Sequence, residues 1–252
     1  MLNDKVELVI ASFAIPLFVV SILFVVILLM TIFSPEQTVE EKKEILTEVE
    51  LENEFRDLAI DVEKLNLHFI EGVNRIYHSK ELDLRRNDKL MITRGDGLLD
   101  RLHLVDSDLI IQNNFSYDKL NLQGDELKID GEFSTDELKI NSLELDLDTE
   151  IKAEQVDIIA EKINGSSFFA GERLQIESDK INANLEFMGQ HQIKIIADKL
   201  DSKIKFKEQG WSYGKELILI GEGKVEVLVN EIDKEGLKIE SSPEIDVEIN
   251  YY

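Results

Sequence analysis

The chain has 252 residues, of which 43% are hydrophobic, and a formal net charge of −24. This acidity argues against a nucleic-acid-binding protein, since phosphates require clusters of Lys and Arg, and equally against docking on anionic lipid headgroups. The absence of Cys excludes disulfides and thiolate metal sites. The apolar fraction is sufficient for a sizeable core in one or two domains.

An apolar run follows a short N-terminal tail, residues 1–7. The run covers residues 8–33, carries no charged side chain, and exceeds the roughly 20 residues that a helix needs to cross a bilayer. A cleavable signal peptide is the alternative, but its apolar core has only about 7–15 residues. We therefore predict a single-pass transmembrane helix over 8–33. We favour translocation of the C-terminal body to the extracytoplasmic side, although Lys42 and Lys43 favour a cytoplasmic one.

A helix start follows the apolar run. Ser34 suits the N-cap and Pro35 the first helical position. Val39, Leu46 and Val49 then fall on one stripe at heptad spacing. We predict a linker helix over 34–49, which is either a solvated connector or a short coiled coil between neighbouring chains.

Strand-like alternation of apolar and polar residues takes over from about Leu58. Between residues 102 and 210 the sequence repeats with a period of 18 residues, which predicts a repeat architecture. Positions 1, 3, 8 and 14 of each unit are apolar, as is position 10 in four of the six units, and the spacing of two within the pairs is the period of a strand. In the second unit these residues are Leu120, Leu122, Leu127, Ile129 and Phe133.

Three short strands per unit, separated by polar corners, predict an all-β fold: a three-faced β-solenoid, or β-helix, with 18-residue coils. The predicted solenoid domain is 50–252, with regular coils over 102–210 and irregular end coils on both sides. A β-sandwich with coincidental spacing is the alternative. Stacked coils would place one residue of each unit in an interior column, formed by Phe115, Phe133, Ile151, Phe169, Phe187 and Phe206.

Signals of catalysis are weak. The four histidines are His68, His78, His103 and His191, and no two of them have a metal-ligand spacing such as H-E-x-x-H. The sequence GEGKV at 221–225 lacks the rest of a phosphate loop and is typical of a hairpin turn. We therefore predict no catalytic, cofactor-binding or metal-binding residue, and no cofactor.

Two columns of charge follow from the repeat. Asp118, Asp136, Glu154 and Glu172 occupy one corner of four consecutive coils, whose spacing is about 4.8 Å. They form either a ladder of Ca²⁺ ligands or a solvated acidic edge, and we favour the edge because the calcium-binding nonapeptide is absent. Position 7 changes from acidic to basic along the stack, which would suit head-to-tail contacts: Asp108, Glu126, Glu144, Lys162, Lys180 and Lys199.

The coil length and apolar pairs such as Leu120/Leu122 and Leu138/Ile140 make the chain similar to the bactofilins, polymer-forming β-helices of the bacterial cytoskeleton. That resemblance implies assembly into polymers. The strands of 195–229, behind a short tail and one anchor, also resemble the lipopolysaccharide-export bridge proteins of the LptC/OstA type. This second resemblance implies transfer of a lipid along an apolar groove.

We thus predict a membrane-anchored, non-enzymatic β-solenoid that acts as a structural scaffold or assembly protein at the cell envelope. The alternative is a periplasmic lipid-export bridge component of the LptC/OstA type. The expected partners are the membrane, through 8–33, and further copies of the chain, through the solenoid ends or the linker helix 34–49.

Overall fold

The computed structural model describes residues 46–50, 56–72, 75–86, 90–94, 107–113, 116–189, 192–207 and 214–252. Nearly all of them are in strands, which confirms the all-β class. The twelve strands, with one 3₁₀-helix at Glu231–Gly236, are β1 Thr47–Glu50, β2 Asp57–Asp61, β3 Lys64–Glu71, β4 Arg75–His78, β5 Leu82–Arg86, β6 Leu90–Arg94, β7 Ser107–Asn113, β8 Tyr117–Met188, β9 Gln192–Phe206, β10 Lys215–Val229, β11 Leu237–Ser241 and β12 Ile245–Tyr251.

The prediction of a single-pass membrane protein is corrected here. The run 8–33, to which the sequence assigns the transmembrane helix, lies outside the described residues. Within the described ranges, no helix is long and apolar enough to span a bilayer. The physical reason is that apolar residues in the described strands alternate with polar ones. They therefore do not form the contiguous apolar surface of a membrane-spanning helix.

The predicted linker helix 34–49 is wrong at its C-terminal end, residues 46–49, which is the part that the structure describes. Residues 34–45 lie outside the described part, whereas Thr47–Glu50 form strand β1. This strand pairs antiparallel with β4, and Glu48 lies 2.9 Å from Arg75 in an ion pair. Pairing with β4 outweighs the weak helix preference of so short a segment.

The regular part of the fold is a stack of parallel coils. Strand β8 follows several coils continuously, and side chains one period apart are in contact: Asn164 donates to Asp146 over 2.9 Å. Arg173 of β8 then pairs with Gln192 of β9, which pairs with Glu216 of β10, which pairs with Lys238 of β11. Parallel pairing of this kind excludes the β-sandwich alternative, which requires antiparallel sheets.

The N-terminal coils stack in an order that differs from the chain order. Strand β3 lies between β7 and β8, because Leu65 pairs with Ser107 on one side and with Leu127 on the other. Strand β2 lies between β6 and β8 in the same way. The prediction that unit 102–119 stacks directly on unit 120–137 is therefore wrong. Residues of β2 and β3 have the same inward spacing as the repeat and form the intervening coil.

The two ends of the stack are built differently. At the N-terminal end the direction reverses, since β5 pairs antiparallel with β6, and β4 pairs antiparallel with β7. At the C-terminal end both β11 and β12 pair in parallel with β10. Among the described strands, β11 and β12 have no further neighbour.

Apolar side chains from every second residue of the strands fill the interior of the stack. The predicted column is confirmed for Phe133, Ile151, Phe169, Phe187 and Phe206, which are at most 4% exposed. The rings of Phe169 and Phe187 are 6.0 Å apart, and those of Phe187 and Phe206 are 5.8 Å apart. The ring of Phe69, which pairs with Gly131 on the adjacent strand, packs against the ring of Phe133 at 4.3 Å, whereas Phe115 lies outside the described residues.

The alternation divides each coil into two stretches. In the third unit, buried residues alternate with outward ones from Leu138 to Ser142, and again from Leu145 to Ala153. We call the first stretch of every coil face 1 and the second stretch face 2. The sequence predicts three strands separated by three corners in each unit. In the third unit the alternation instead breaks at only two places, 143–144 and 154–155. Gly131 and Gly165, with φ of 94° and 106°, lie on the inward side of face 2.

Candidate functional site

A groove of about 680 Å³ lies on the outer surface of face 1. It crosses six neighbouring strands, from β6 and β2 through four successive coils of β8. We call it the face 1 groove. Its outward lining residues are Ala59, Asp61, Met91, Asn121, Gln123, Lys139, Asn141, Asp157, Ile159, Arg173 and Gln175.

Strand geometry explains why these side chains meet. Leu120 and Leu122 point into the core, so Asn121 between them must point outward. Ala59 pairs with Asn121 on one side and with Met91 on the other, which forms one row of outward residues across the stack. The short side chains of Ala59 and Asn121 stand between the longer ones of Met91 and Lys139, which leaves a depression.

The charges at the groove are balanced. The ammonium of Lys139 lies 2.5 Å from Glu137, and the other oxygen of Glu137 lies 3.0 Å from Lys119. These hydrogen bonds, first from Lys139 and then from Lys119, hold the pKa of Glu137 below its usual value. The hydrogen bond to Glu137 in turn raises the pKa of Lys139, with a smaller contribution from Asp157.

Four carboxamides give the groove its hydrogen-bonding capacity: Asn121, Gln123, Asn141 and Gln175. Each amide offers both donors and an acceptor. None of the four is hydrogen-bonded to another residue of the described part of the chain, although hydrogen bonds of this type occur elsewhere, as between Asn66 and Asp108. The groove therefore has amides that are available to a ligand.

Apolar side chains complete the surface. Ile159 is 54% exposed in the groove, and a second depression of about 330 Å³ begins beside it at Leu143. Ile196 and Ile220 occupy the same outward row two and three coils further on, and Ile220 is 41% exposed. Face 1 thus combines amides with exposed isoleucines.

Further depressions lie outside face 1 in the described part of the chain, and two of them differ from the groove in their lining. One of about 350 Å³ on face 2 is lined by charges that already pair with one another, since Lys203 lies 3.2 Å from Glu226. The other, of about 220 Å³, lies at the C-terminal coil and is apolar. It is lined by Val229, Leu237, Ile239, Ile249 and Tyr251.

The histidines are not brought together. His68 points outward from face 2, and its Nδ1 lies 2.7 Å from Asp130 on the adjacent strand. His78 is buried, with Nδ1 2.8 Å from the carbonyl of Ser79. His103 and His191 lie outside the described residues.

The charged columns form no cation site in the described ranges, where no cluster of three or more His, Cys, Asp and Glu residues could hold a metal ion. Asp118 lies 3.6 Å from Arg56, whereas Asp136, Glu154 and Glu172 are exposed.

In the position 7 column, opposite charges are neighbours within the stack. Lys64 lies 2.6 Å from Glu126, and Lys162 lies 3.5 Å from Glu144. The predicted segregation of charge toward the two ends is therefore wrong in this region, because β3 introduces a lysine next to Glu126.

The pattern predicts a hairpin turn at GEGKV, residues 221–225. This prediction is wrong, because the segment is a bend inside β10. Gly221 and Gly223 have φ of 136° and 134° there. A Cβ on either would lie within 2.1 Å of a carbonyl oxygen of the adjacent coil. The glycines thus allow the backbones of two adjacent coils to approach closely at a corner, and they do not form a phosphate loop.

The sequence did contain one signal of the groove. Adjacent isoleucines at 158 and 159, and again at 195 and 196, interrupt the alternation of apolar and polar residues. One member of each pair must face outward, because neighbouring strand residues point to opposite sides. The contribution of β2 and β6 to the groove had no such signal, since it depends on the order of stacking.

Comparison with known proteins gives limited guidance. No protein-family model and no curated protein matches the chain. One similar solved structure is that of a proposed adhesin from Parabacteroides merdae, which is 12% identical. The alignment covers 82% of this chain and 94% of that one, with a TM-score of 0.30. A likeness this low supports no inference about fold or function.

Proposed function

We propose that this protein is a non-enzymatic β-solenoid scaffold, which holds a partner along the outer surface of its coil stack. The observation that carries this proposal is the unbroken parallel ladder from β6 to β11. Backbone hydrogen bonds join every coil to the next, and interior residues are packed in columns, so the stack is stiff along its axis.

The filled interior supports a scaffold over a lipid-export bridge. A bridge would need an apolar channel or an open groove that admits an acyl chain. The coil centre instead contains Phe169, Phe187 and Phe206, all at most 1% exposed and about one coil spacing apart. The face 1 groove lies on the outer surface of the stack, and eight of its eleven outward lining residues are polar or charged.

A role in assembly is supported by the C-terminal coil. Edge strands expose unpaired N–H and C=O groups that can pair with another chain. Both β11 and β12 have such an edge among the described strands, and the apolar depression at Leu237 and Ile249 lies between them. The scaffold could therefore be extended by end-to-end contact.

The experiment is to purify the full chain, image it by negative-stain electron microscopy and analyse bound lipid by mass spectrometry. A scaffold is expected to give short rods or filaments without stoichiometric lipid. Filaments would add an assembly role, whereas single rods would place function on the sides of the stack. Lipid bound at a one-to-one ratio would contradict the proposal and favour the export bridge.

A further inference from the structure

The face 1 groove is long and shallow. It crosses six strands, and at a strand spacing of about 4.8 Å the outer two are roughly 24 Å apart. The residues that project into it come from alternate positions of each strand, so they form rows with a regular spacing. A ligand that uses the whole groove must be elongated and must itself present groups at regular intervals.

Recognition in this groove has to use side chains. The strands beneath it lie inside the ladder, and β2, for example, pairs on both sides, with β6 and with β8. Their backbone N–H and C=O groups are therefore used within the sheet. An extended peptide that binds by adding a strand needs a free edge, and the groove offers none.

The polar groups of the groove match hydroxyl groups. A hydroxyl both donates and accepts hydrogen bonds, and so does a carboxamide. Asn121, Gln123, Asn141 and Gln175 supply four carboxamides from three of the four coils of β8 that the groove crosses. A surface built to bind an anion would instead use Arg and Lys in excess.

The charges of the groove indicate that the ligand is neutral. Lys139 and Arg173 are balanced by Asp61 and Asp157, although the chain as a whole carries −24. A polyanion would be repelled by this protein, and a polycation would find many sites of higher negative charge. Balanced charge beside amides favours a ligand with many hydroxyls and no net charge.

Exposed apolar groups provide the remaining contact. Ile159 is 54% exposed, and Met91 and Ala59 lie in the same groove. The C–H faces of a sugar ring are apolar, whereas its edge carries hydroxyls, so a sugar can contact isoleucine and amides at the same time. We propose that the face 1 groove binds a neutral oligosaccharide, or a neutral stretch of a longer polysaccharide. This inference rests on the proposed scaffold function, for which it names the partner class.

The test is isothermal titration calorimetry of the full chain with four neutral hexasaccharides: cellohexaose, laminarihexaose, maltohexaose and hexa-N-acetylchitohexaose. At least one is expected to bind with a dissociation constant of about 1 mM or lower. The double variant Asn121→Ala/Asn141→Ala is expected to weaken that binding at least about tenfold, because two hydrogen-bonding amides are lost. Asn184→Ala, an equally exposed amide on face 2, is the matched control and should bind as the unchanged protein does.

Several results would overturn the proposal. They are the absence of binding by all four sugars, equal binding by the double variant and the unchanged protein, and binding in the groove of heparin or an unstructured peptide instead. Melting curves of both variants should coincide with that of the unchanged protein, since all three amides are exposed. Failure here would leave the scaffold proposal intact, because that proposal is tested by particle shape and bound lipid.

Discussion

Small residues at the first corner of each coil join neighbouring coils. The hydroxyl of Ser142 lies 3.1 Å from the carbonyl of Asp125 on the preceding coil and 2.7 Å from that of Glu144. Ser178, two coils later, makes the equivalent contacts at 3.2 Å and 3.0 Å, to Glu161 and Lys180. A compact residue fits the corner, and its hydroxyl satisfies a carbonyl where the alternation breaks.

The interior column gives the first prediction. Phe133→Ala is expected to lower the free energy of unfolding by about 3–5 kcal/mol, because it leaves a cavity beside Phe69. Glu132→Ala, the adjacent change, removes only an exposed ion pair with Lys152 and should cost less than about 1 kcal/mol. Chemical denaturation of both variants is the measurement. Equal losses would show that the inward register is wrong.

A second prediction concerns close backbone approach. A Cβ added at Gly165 would lie 2.2 Å from the carbonyl oxygen of Leu147, and φ there is +106°. Gly165→Ala is therefore expected to destabilise the fold by at least about 2 kcal/mol. Gly214→Ala is the control, since its nearest contact would be 3.7 Å away, at Gly236. Thermal melting that ranks the two variants in the reverse order would contradict this account.

The ion pairs of Glu137 predict a dependence on pH. Lys139 and Lys119 lower the pKa of this carboxyl, so its contribution to stability is present above the ordinary value of 4.5 and is lost as the pH falls through the lower folded value. Glu137→Gln should melt below the unchanged protein at pH 7, and the difference should shrink as the pH is lowered below 4.5. Glu177→Gln, an exposed glutamate of face 1, should show a smaller difference at pH 7. A difference for Glu137→Gln that persists unchanged at pH 3 would exclude the ion-pair explanation.

At the scale of elements, the coil is the unit of stability. Each coil meets its neighbours through equivalent surfaces, as Phe187 meets Phe206 and Leu174 meets Ile193. The turn glycines fit particular neighbours, however, and a Cβ at Gly124 would lie 2.2 Å from the carbonyl of Val62. Coils in the middle of β8 are therefore more interchangeable than the coil 120–137, which stacks on β2 and β3.

Deletion of one complete coil tests this equivalence. Removing residues 138–155 is expected to leave a folded and shorter stack, because unit 156–173 can pair with unit 120–137 in the same register. Removing only residues 138–146 should unfold the domain, because inward and outward residues would then be misaligned. Circular dichroism and limited proteolysis are the measurements. If both deletions behaved alike, the stacked units would not be equivalent.

At the scale of the whole molecule, the C-terminal coil covers the coil beneath it. Strand β12 pairs with residues 223–229 of β10, and the hydroxyl of Tyr252 donates to the carbonyl of Phe206 over 2.6 Å. On β12, Asp246 and Glu248 alternate with apolar residues, and charges at a sheet edge discourage pairing with another chain. These charges thus weaken, but do not abolish, the end-to-end contact that the edge of β12 allows.

Removal of that strand gives the last prediction. A chain that ends after Ser242 should self-associate more strongly than the full chain, because the edge of residues 223–229 and the buried side chains of Val225 and Val227 become exposed. Sedimentation velocity at matched concentrations compares the two. Filaments of the full chain that disappear on truncation would instead identify β12 as an assembly surface.

The sequence by itself determined whether each side chain of the regular coils points inward or outward. The period of 18 residues and the alternation of apolar residues are enough to predict an all-β stack and the burial of Phe133 or Phe187, because a side chain in a strand can point only inward or outward. The isoleucine pair at 158 and 159 likewise predicts that one of the two is exposed.

Only the tertiary structure decided which strands are neighbours. The inward patterns of β2, β3 and the repeat units are nearly interchangeable, so local spacing cannot tell that β3 lies between β7 and β8. Strand β1 is a strand, rather than the end of the predicted helix, because β4 supplies an edge for it. The face 1 groove is decided at the same level. Its amides and its apolar groups come from β6, β2 and β8, and backbone pairing across long sequence separations places them on one surface.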